Sequence, residues 1–370
     1  MEFTVNSGDL VKELTLTQGV VERKTTIPIL SNLLCEAKGD KITITATDLE
    51  LSIRTTCDAK VKKDGAGTIP AKKLLELVRL LPAGEISFKL LENHWVHITA
   101  DRKNYKMVGL ARDNFPALPT PPTALAKIPA RILASLIAKT QFAISMEESR
   151  YTLNGALLLL KPDSATMVAT DGHRLALAET EHKFAGLRDE VRTLVPKKAM
   201  SEVARLAAEA GEDAEIEFSR DDSYLFFQLG ERLLTSRMLT GQFPNYEAVL
   251  PRDNNKSVTI ERGELNDAVR RVAQLADQRS HAVKLELSKE GIELSASSPE
   301  YGEAKETIEK EYKGDALTIG FNAQYMLDFL AAAADGPIRI ELKDEQSAGQ
   351  LRPLADEAYK YRYVIMPMRI

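Results

Sequence analysis

Apolar residues return every third or fourth position in six stretches of this chain and every second position in most of the others, which predicts six helices set among many strands. In the first third, residues 8–18 put Leu10, Val11, Leu14 and Thr17 on one helical face, with Ser7 as the N-cap. Alternating runs follow at 41–48 and 50–57, separated from what precedes them by the polar turn Gly39-Asp40. A second helix over 71–81 stops before Pro82 and Gly84. Strands are then expected at 85–91, 94–100 and 105–110, with Glu92-Asn93 and Lys103-Asn104 in the turns. Helices are too few to cover both faces of a sheet. The expected fold class is therefore α+β, with antiparallel sheets covered on one side by pairs of helices.

The same order occurs three times. T-I-P-A-K-K-L-L-E-L from Thr68, L-V-P-K-K-A-M-S-E-V from Leu194 and I-G-F-N-A-Q-Y-M-L-D from Ile319 each lead from a strand into an amphipathic helix. V-N-S-G-D-L at Val5, I-P-A-R-I-L at Ile128 and I-E-R-G-E-L at Ile260 open a second set of helices. I-T-A-T-D-L-E at Ile44, M-V-A-T-D-G-H at Met167 and L-S-A-S-S-P-E at Leu294 form a third set, of strands. The spacing of about 125 residues is that of a whole domain, well beyond the ~20–50 of solenoid repeats. Three domains are expected, at 1–120, 127–250 and 256–370. The connectors between them, F-P-A-L-P-T-P-P-T from Phe115 and F-P-N-Y-E-A-V-L-P from Phe243, carry prolines that favour an extended backbone. Similar domains joined in a row can curve into an arc, and arcs can close into rings.

A hydrophobic share of 44% and a charged share of 28% describe an ordinary globular chain. Cys35 and Cys57 lack metal-site or redox spacing and read as reduced, partly buried thiols. There is no leader-like N-terminal run, and no apolar run approaches the ~20 residues of a membrane span. A cytoplasmic protein without a membrane role is expected. The five histidines form no metal-ligand pattern, and Gly65-Ala66-Gly67, without the lysine of a phosphate loop, reads as a turn. Asp171-Gly172-His173-Arg174 groups an acid, a base and a guanidinium, but no nucleophile accompanies them. No catalytic residue, metal or cofactor is expected. Net charge is −5, so any nucleic-acid role depends on where the charges lie. The predicted helices sum to a small positive charge within an acidic remainder, a pattern that suits a weak polyanion contact and equally suits solvated helix faces.

Over its full length the chain resembles the bacterial beta sliding clamps, the beta subunits of the DNA polymerase III holoenzyme. The matching segments are T-T-I-P-I-L-S-N-L at Thr25, R-Y-T-L-N-G at Arg150, A-T-D-G-H-R-L-A at Ala169, F-P-N-Y at Phe243 and Y-V-I-M-P-M-R near the end. The resemblance implies a head-to-tail homodimer, a six-domain ring with helices lining the hole. Such a ring encircles double-stranded DNA without reading its sequence, performs no bond chemistry and needs ATP only through a separate loader.

Polymerase, clamp loader and repair proteins would bind the ring through short linear peptides. Their cleft carries over to Leu153, Thr170, Gly172, His173, Arg174, Leu175, Pro244, Val249, Val364, Met366, Pro367 and Met368. DNA contacts are expected from Arg23, Lys24, Lys72, Lys73, Tyr151, Lys197, Lys198 and Arg205. Tyr105 and Met107, on an edge strand, are expected to meet Gln274 and Leu275 at the subunit junction. The chain departs from the family pattern at Ala248, where arginine can stand, and at Glu147, Thr152 and Gln274. The competing reading is a scaffold, monomeric or differently assembled, that binds peptides but not DNA.

Overall fold

The computed structural model describes residues 1–21, 26–356 and 358–369; the expected DNA contacts Arg23 and Lys24 lie outside the described residues. Six α-helices are present: α1 Ser7–Thr17, α2 Ala71–Leu80, α3 Ala130–Thr140, α4 Lys197–Ala208, α5 Arg262–Val272 and α6 Ala323–Ala332. They fall two to each sequence repeat, and α1 packs on α2 as α5 packs on α6. Every strand pairing among the described residues is antiparallel, as the shortage of helices required. None of these helices is long and apolar enough to cross a membrane.

The chain divides into two compact units, residues 1–133 with 198–238 and residues 134–197 with 239–370. The second repeat is therefore shared. Its strands Ala126–Pro129, Glu215–Arg220, Tyr224–Leu229 and Arg232–Arg237 join those of the first repeat in a twelve-stranded sheet. The join is the pairing of Arg232–Arg237 with Leu51–Lys63, which sets Thr235 opposite Ser52. In the other unit, Gly155–Lys161, Ser164–Thr170, Arg174–Glu181 and Val191–Pro196 share an eight-stranded sheet with four strands of the third repeat. There the join is Arg174–Glu181 against Lys360–Ile365, with Leu175 opposite Val364. A four-stranded sheet, Ala282–Ser288, Gly291–Ser298, Gly302–Ile308 and Leu317–Asn322, completes that unit.

Local chemistry moves some of the expected boundaries. Asn6, not Ser7, caps α1, because its side-chain oxygen accepts from the amides of Gly8 and Asp9. Gly65-Ala66-Gly67 is no turn; it begins the strand Gly65–Pro70, which pairs with Asn32–Lys38. The strand expected at 50–57 runs on from Leu51 to Lys63, since its last residues pair with Glu2–Asn6 through main-chain bonds that need no apolar side chains. Lys103-Asn104 belongs to the strand Lys103–Val108, and the reversal sits before it at Asp101, whose φ is 50°. Cys35 and Cys57 are free and buried.

The run Gly155–Lys161 shows how the core leads to the site. All of its residues except Lys161 are buried. Neighbouring side chains on a strand point to opposite faces, so continuous burial means that both faces are covered.

Candidate functional site

Leu157 and Leu159 emerge on the same face of the sheet and join a cluster with Val168, Leu175, Leu177, Leu194, Phe243, Tyr246 and Val364. Strand register builds it. Leu194, Leu157, Val168 and Leu177 lie directly opposite one another in turn, a row across four strands, and Leu175 faces Val364 on the fifth. The proline connector supplies the cover, since Phe243 and Tyr246 are buried on this face while Pro244 and Val249 between and after them stay exposed. Burial contributes about 1.5–3 kcal/mol for each such leucine. Leu153, Leu239, Leu250 and Ala348 pack around the margin, half-buried. Among large apolar side chains, Val249 remains 45% and Met366 43% exposed. Apolar surface left open beside a finished core is the arrangement that suits a peptide anchor.

A tight turn holds the edge of this face. Asp171 Oδ1 accepts from the amides of His173 (2.9 Å) and Arg174 (3.0 Å), and Thr170 Oγ1 donates to Arg174 O (2.6 Å). Gly172 has φ 90°, and a Cβ there would stand 2.6 Å from Arg150 Nη1, so the position admits only glycine without strain. The Met366 amide donates to His173 O (2.9 Å), which places the exposed methionine beside the exposed histidine.

The structure thus brings Leu153, Leu175 and Val364 into one cluster and sets Thr170, Gly172, His173 and Met366 at its rim. Pro367 and Met368 follow Met366 and are not members of that cluster. The Met368 amide donates to Gly320 O, and both residues line an open cavity of about 850 Å³ with Thr318, Ile319 and Glu345. Arg174 turns out to be enclosed, its side chain only 9% exposed. Leu157, Leu159, Leu177, Phe243 and Tyr246 were not foreseen. The unbroken apolar run at 156–160 and the aromatic spacing in F-P-N-Y were the available signals.

The expected DNA contacts differ in how free they are. Lys72 and Lys73 are exposed on α2 and share Glu76, at 3.9 and 2.9 Å. That hydrogen bond from Lys73 holds the Glu76 carboxyl below its usual range. Tyr151 is 53% exposed, and Lys197 Nζ lies 3.0 Å from Met146 Sδ. Lys198 is ion-paired with the nearly buried Asp48. Arg205 is half-buried and faces inward, donating to Glu202 and to Leu16 O at the end of α1, whose last turn has no basic residue of its own. Glu13 of α1 is buried against Arg232 (2.6 Å), so it does not act as a surface charge.

The expected junction residues occupy an end strand and a turn beside another end strand. Tyr105 and Met107 are half-buried on Lys103–Val108, an end strand that among the described residues pairs only with Trp95–Ala100. Leu275 is half-buried and Gln274 exposed in the short turn after α5, which packs on the end strand Gly302–Ile308.

Three family models match the chain in series. They describe the N-terminal domain of the DNA polymerase III beta subunit over residues 1–119, its central domain over 127–245 and its C-terminal domain over 247–369. The chain belongs to the beta sliding clamp family. Its relatives include the beta sliding clamps of Pseudomonas aeruginosa, 34% identical, and Caulobacter vibrioides, 36% identical, each matched over 100% of both chains. The crystal structure of the Pseudomonas aeruginosa DNA polymerase III beta subunit superposes with a TM-score of 0.94 over 100% of both chains. A further structure of that sliding clamp, bound to griselimycin, also gives 0.94 at 34% identity. The Bacillus subtilis sliding clamp, at 26% identity, keeps a TM-score of 0.93. The family thus accounts for the triplicated α+β fold and gives the chain its place among the subunits of a replicative polymerase.

Proposed function

We propose that this protein is a cytoplasmic DNA replication processivity factor: a homodimeric ring that encircles double-stranded DNA and tethers the polymerase and other DNA-processing proteins. The reading takes the domains as 1–120, 127–250 and 256–370, and gives the protein no catalytic step, metal or cofactor of its own. The observation that carries it is the apolar face built on Leu157, Leu175, Leu177 and Val364, with Val249 and Met366 left open at its side. Replicative polymerase, clamp loader and repair proteins would each seat one or two hydrophobic side chains of a short linear peptide there, and flexible methionine adapts to varied anchors.

Ring closure is supported by two of the strands that are paired on one side alone among the described residues. Lys103–Val108 carries Tyr105 and Met107, and Gly302–Ile308 packs beside the turn that holds Leu275. An open strand edge seeks a partner, which favours head-to-tail pairing between copies, and two such contacts close a ring. Lys72, Lys73, Tyr151 and Lys197, with Arg23 and Lys24, would touch phosphates weakly; a strongly basic lining would brake sliding. The test is retention on circular DNA after loading. Protein that stays on closed circles and is lost when the circle is cut is a ring held by topology. Equal retention on linear DNA, or none on either, rejects the proposal and favours a scaffold that binds peptides without encircling DNA.

A further inference from the structure

The chain contains its own control for the cleft, because the turn at 170–174 is repeated at 47–51. In both, a threonine hydroxyl donates to the carbonyl four residues on: Thr47 to Leu51 O (3.0 Å) and Thr170 to Arg174 O (2.6 Å). In both, an aspartate accepts two amides: Asp48 from Glu50 and Leu51, Asp171 from His173 and Arg174. The residue after it has positive φ, 79° at Leu49 and 90° at Gly172. Finally the neighbouring strand closes each turn, with Arg237 N on Glu50 O (2.7 Å) and Met366 N on His173 O (2.9 Å).

Against this shared backbone, the fifth residue changes class. Leu51 is a buried apolar residue, and Arg174 stands in its place. Leu175 belongs to the peptide-facing cluster, and alternation on the strand turns Arg174 to the opposite face. There its Nε donates to Asp171 Oδ2 (3.0 Å), Nη1 to Asp328 Oδ2 on α6 (2.6 Å) and Nη2 to Phe142 O (2.7 Å). The guanidinium also lies 4.2 Å from the centre of the Tyr325 ring. Asp328 is itself oriented, since Gln324 Nε2 donates to its other oxygen at 2.7 Å.

We propose that Arg174 and Asp328 form a positioning pair for the cleft: they fix the Asp171–Arg174 turn to α6, hold His173 and Met366 in the peptide-ready arrangement, and do not themselves meet the peptide. The proposal rests on the cleft reading given above and assigns Asp328 a part in binding from the face of the sheet that the peptide does not occupy. Its test is fluorescence polarisation of a labelled hexapeptide carrying one leucine and one phenylalanine anchor, titrated with the full-length protein. Asp328→Asn should weaken binding about tenfold, the equivalent of one charge-assisted hydrogen bond, and Asp328→Glu should recover most of it. Hydrogen exchange supplies the second readout. In Asp328→Asn the amides of His173 and Arg174 should exchange faster, while those of Glu50 and Leu51 in the matching turn stay unchanged and report that the chain is folded. Unchanged peptide affinity in Asp328→Asn, with binding abolished in Met366→Ser, would overturn the positioning role and leave the cleft in place. Affinity that survives Met366→Ser as well would overturn both.

Discussion

Single residues here are fixed by conformations that the sequence shows only in part. Gly172 combines φ 90° with a guanidinium 2.6 Å from where a Cβ would stand. Gly172→Ala should therefore cost about 1–3 kcal/mol in urea unfolding and weaken peptide binding as the turn shifts. The thiols make a second residue-scale case. Burial pushes both Cys35 and Cys57 up to about 12 from an ordinary value near 9.0. Their folded-state pKa is raised, so the stability they contribute is complete below pH ~9 and is lost as the pH climbs toward 12, where only the unfolded chain gains by ionising. Melting temperature measured from pH 8 to 11 should fall less in Cys35→Ala than in the parent; an identical slope would rule out the thiol as a source. The pair's burial was legible from the strand-like runs around each cysteine.

Elements were legible where a period repeats and obscure where partners decide. The helices α2, α4 and α6 follow from three copies of one apolar spacing. The extension of Leu51–Lys63 could not be read, because Lys60, Lys62 and Lys63 carry no alternation and are held by pairing with distant strands. The sequence likewise could not say whether a helix cation meets solvent or another helix: Arg205 ends up on the carbonyls that finish α1. In the site, A-T-D-G-H-R-L-A located the rim, but the floor depended on which strands became neighbours, and nothing in the sequence sets Asp328 apart from any other charge on a helix. The strand edges carry the element-scale prediction. Leu275→Asp puts a charge beside the end strand Gly302–Ile308; the parent should scatter light as a dimer at micromolar concentration and this variant as a monomer, with the fold intact by circular dichroism. A dimer mass that does not change would put the junction elsewhere.

At the scale of the whole molecule, DNA binding should draw on lysines of α2 and α4. Neutralising Lys72, Lys73 and Lys197 should flatten the salt dependence of direct DNA binding by about 0.9 in slope for each phosphate that is no longer neutralised. Arg205→Ala should instead lower the melting temperature and leave that slope alone, since its guanidinium is already engaged by Glu202 and α1. Slopes equal to the parent's in all three lysine variants would remove these side chains from the DNA-facing set. The sharing of the second repeat between two sheets has a mechanical consequence. The unit that was copied is a third of the chain, but the unit that holds together is not, because residues 134–197 and 198–238 belong to different compact bodies. A fragment cut at the repeat boundaries would carry two raw sheet edges, at Arg174–Glu181 and Arg232–Arg237, and should aggregate when expressed alone.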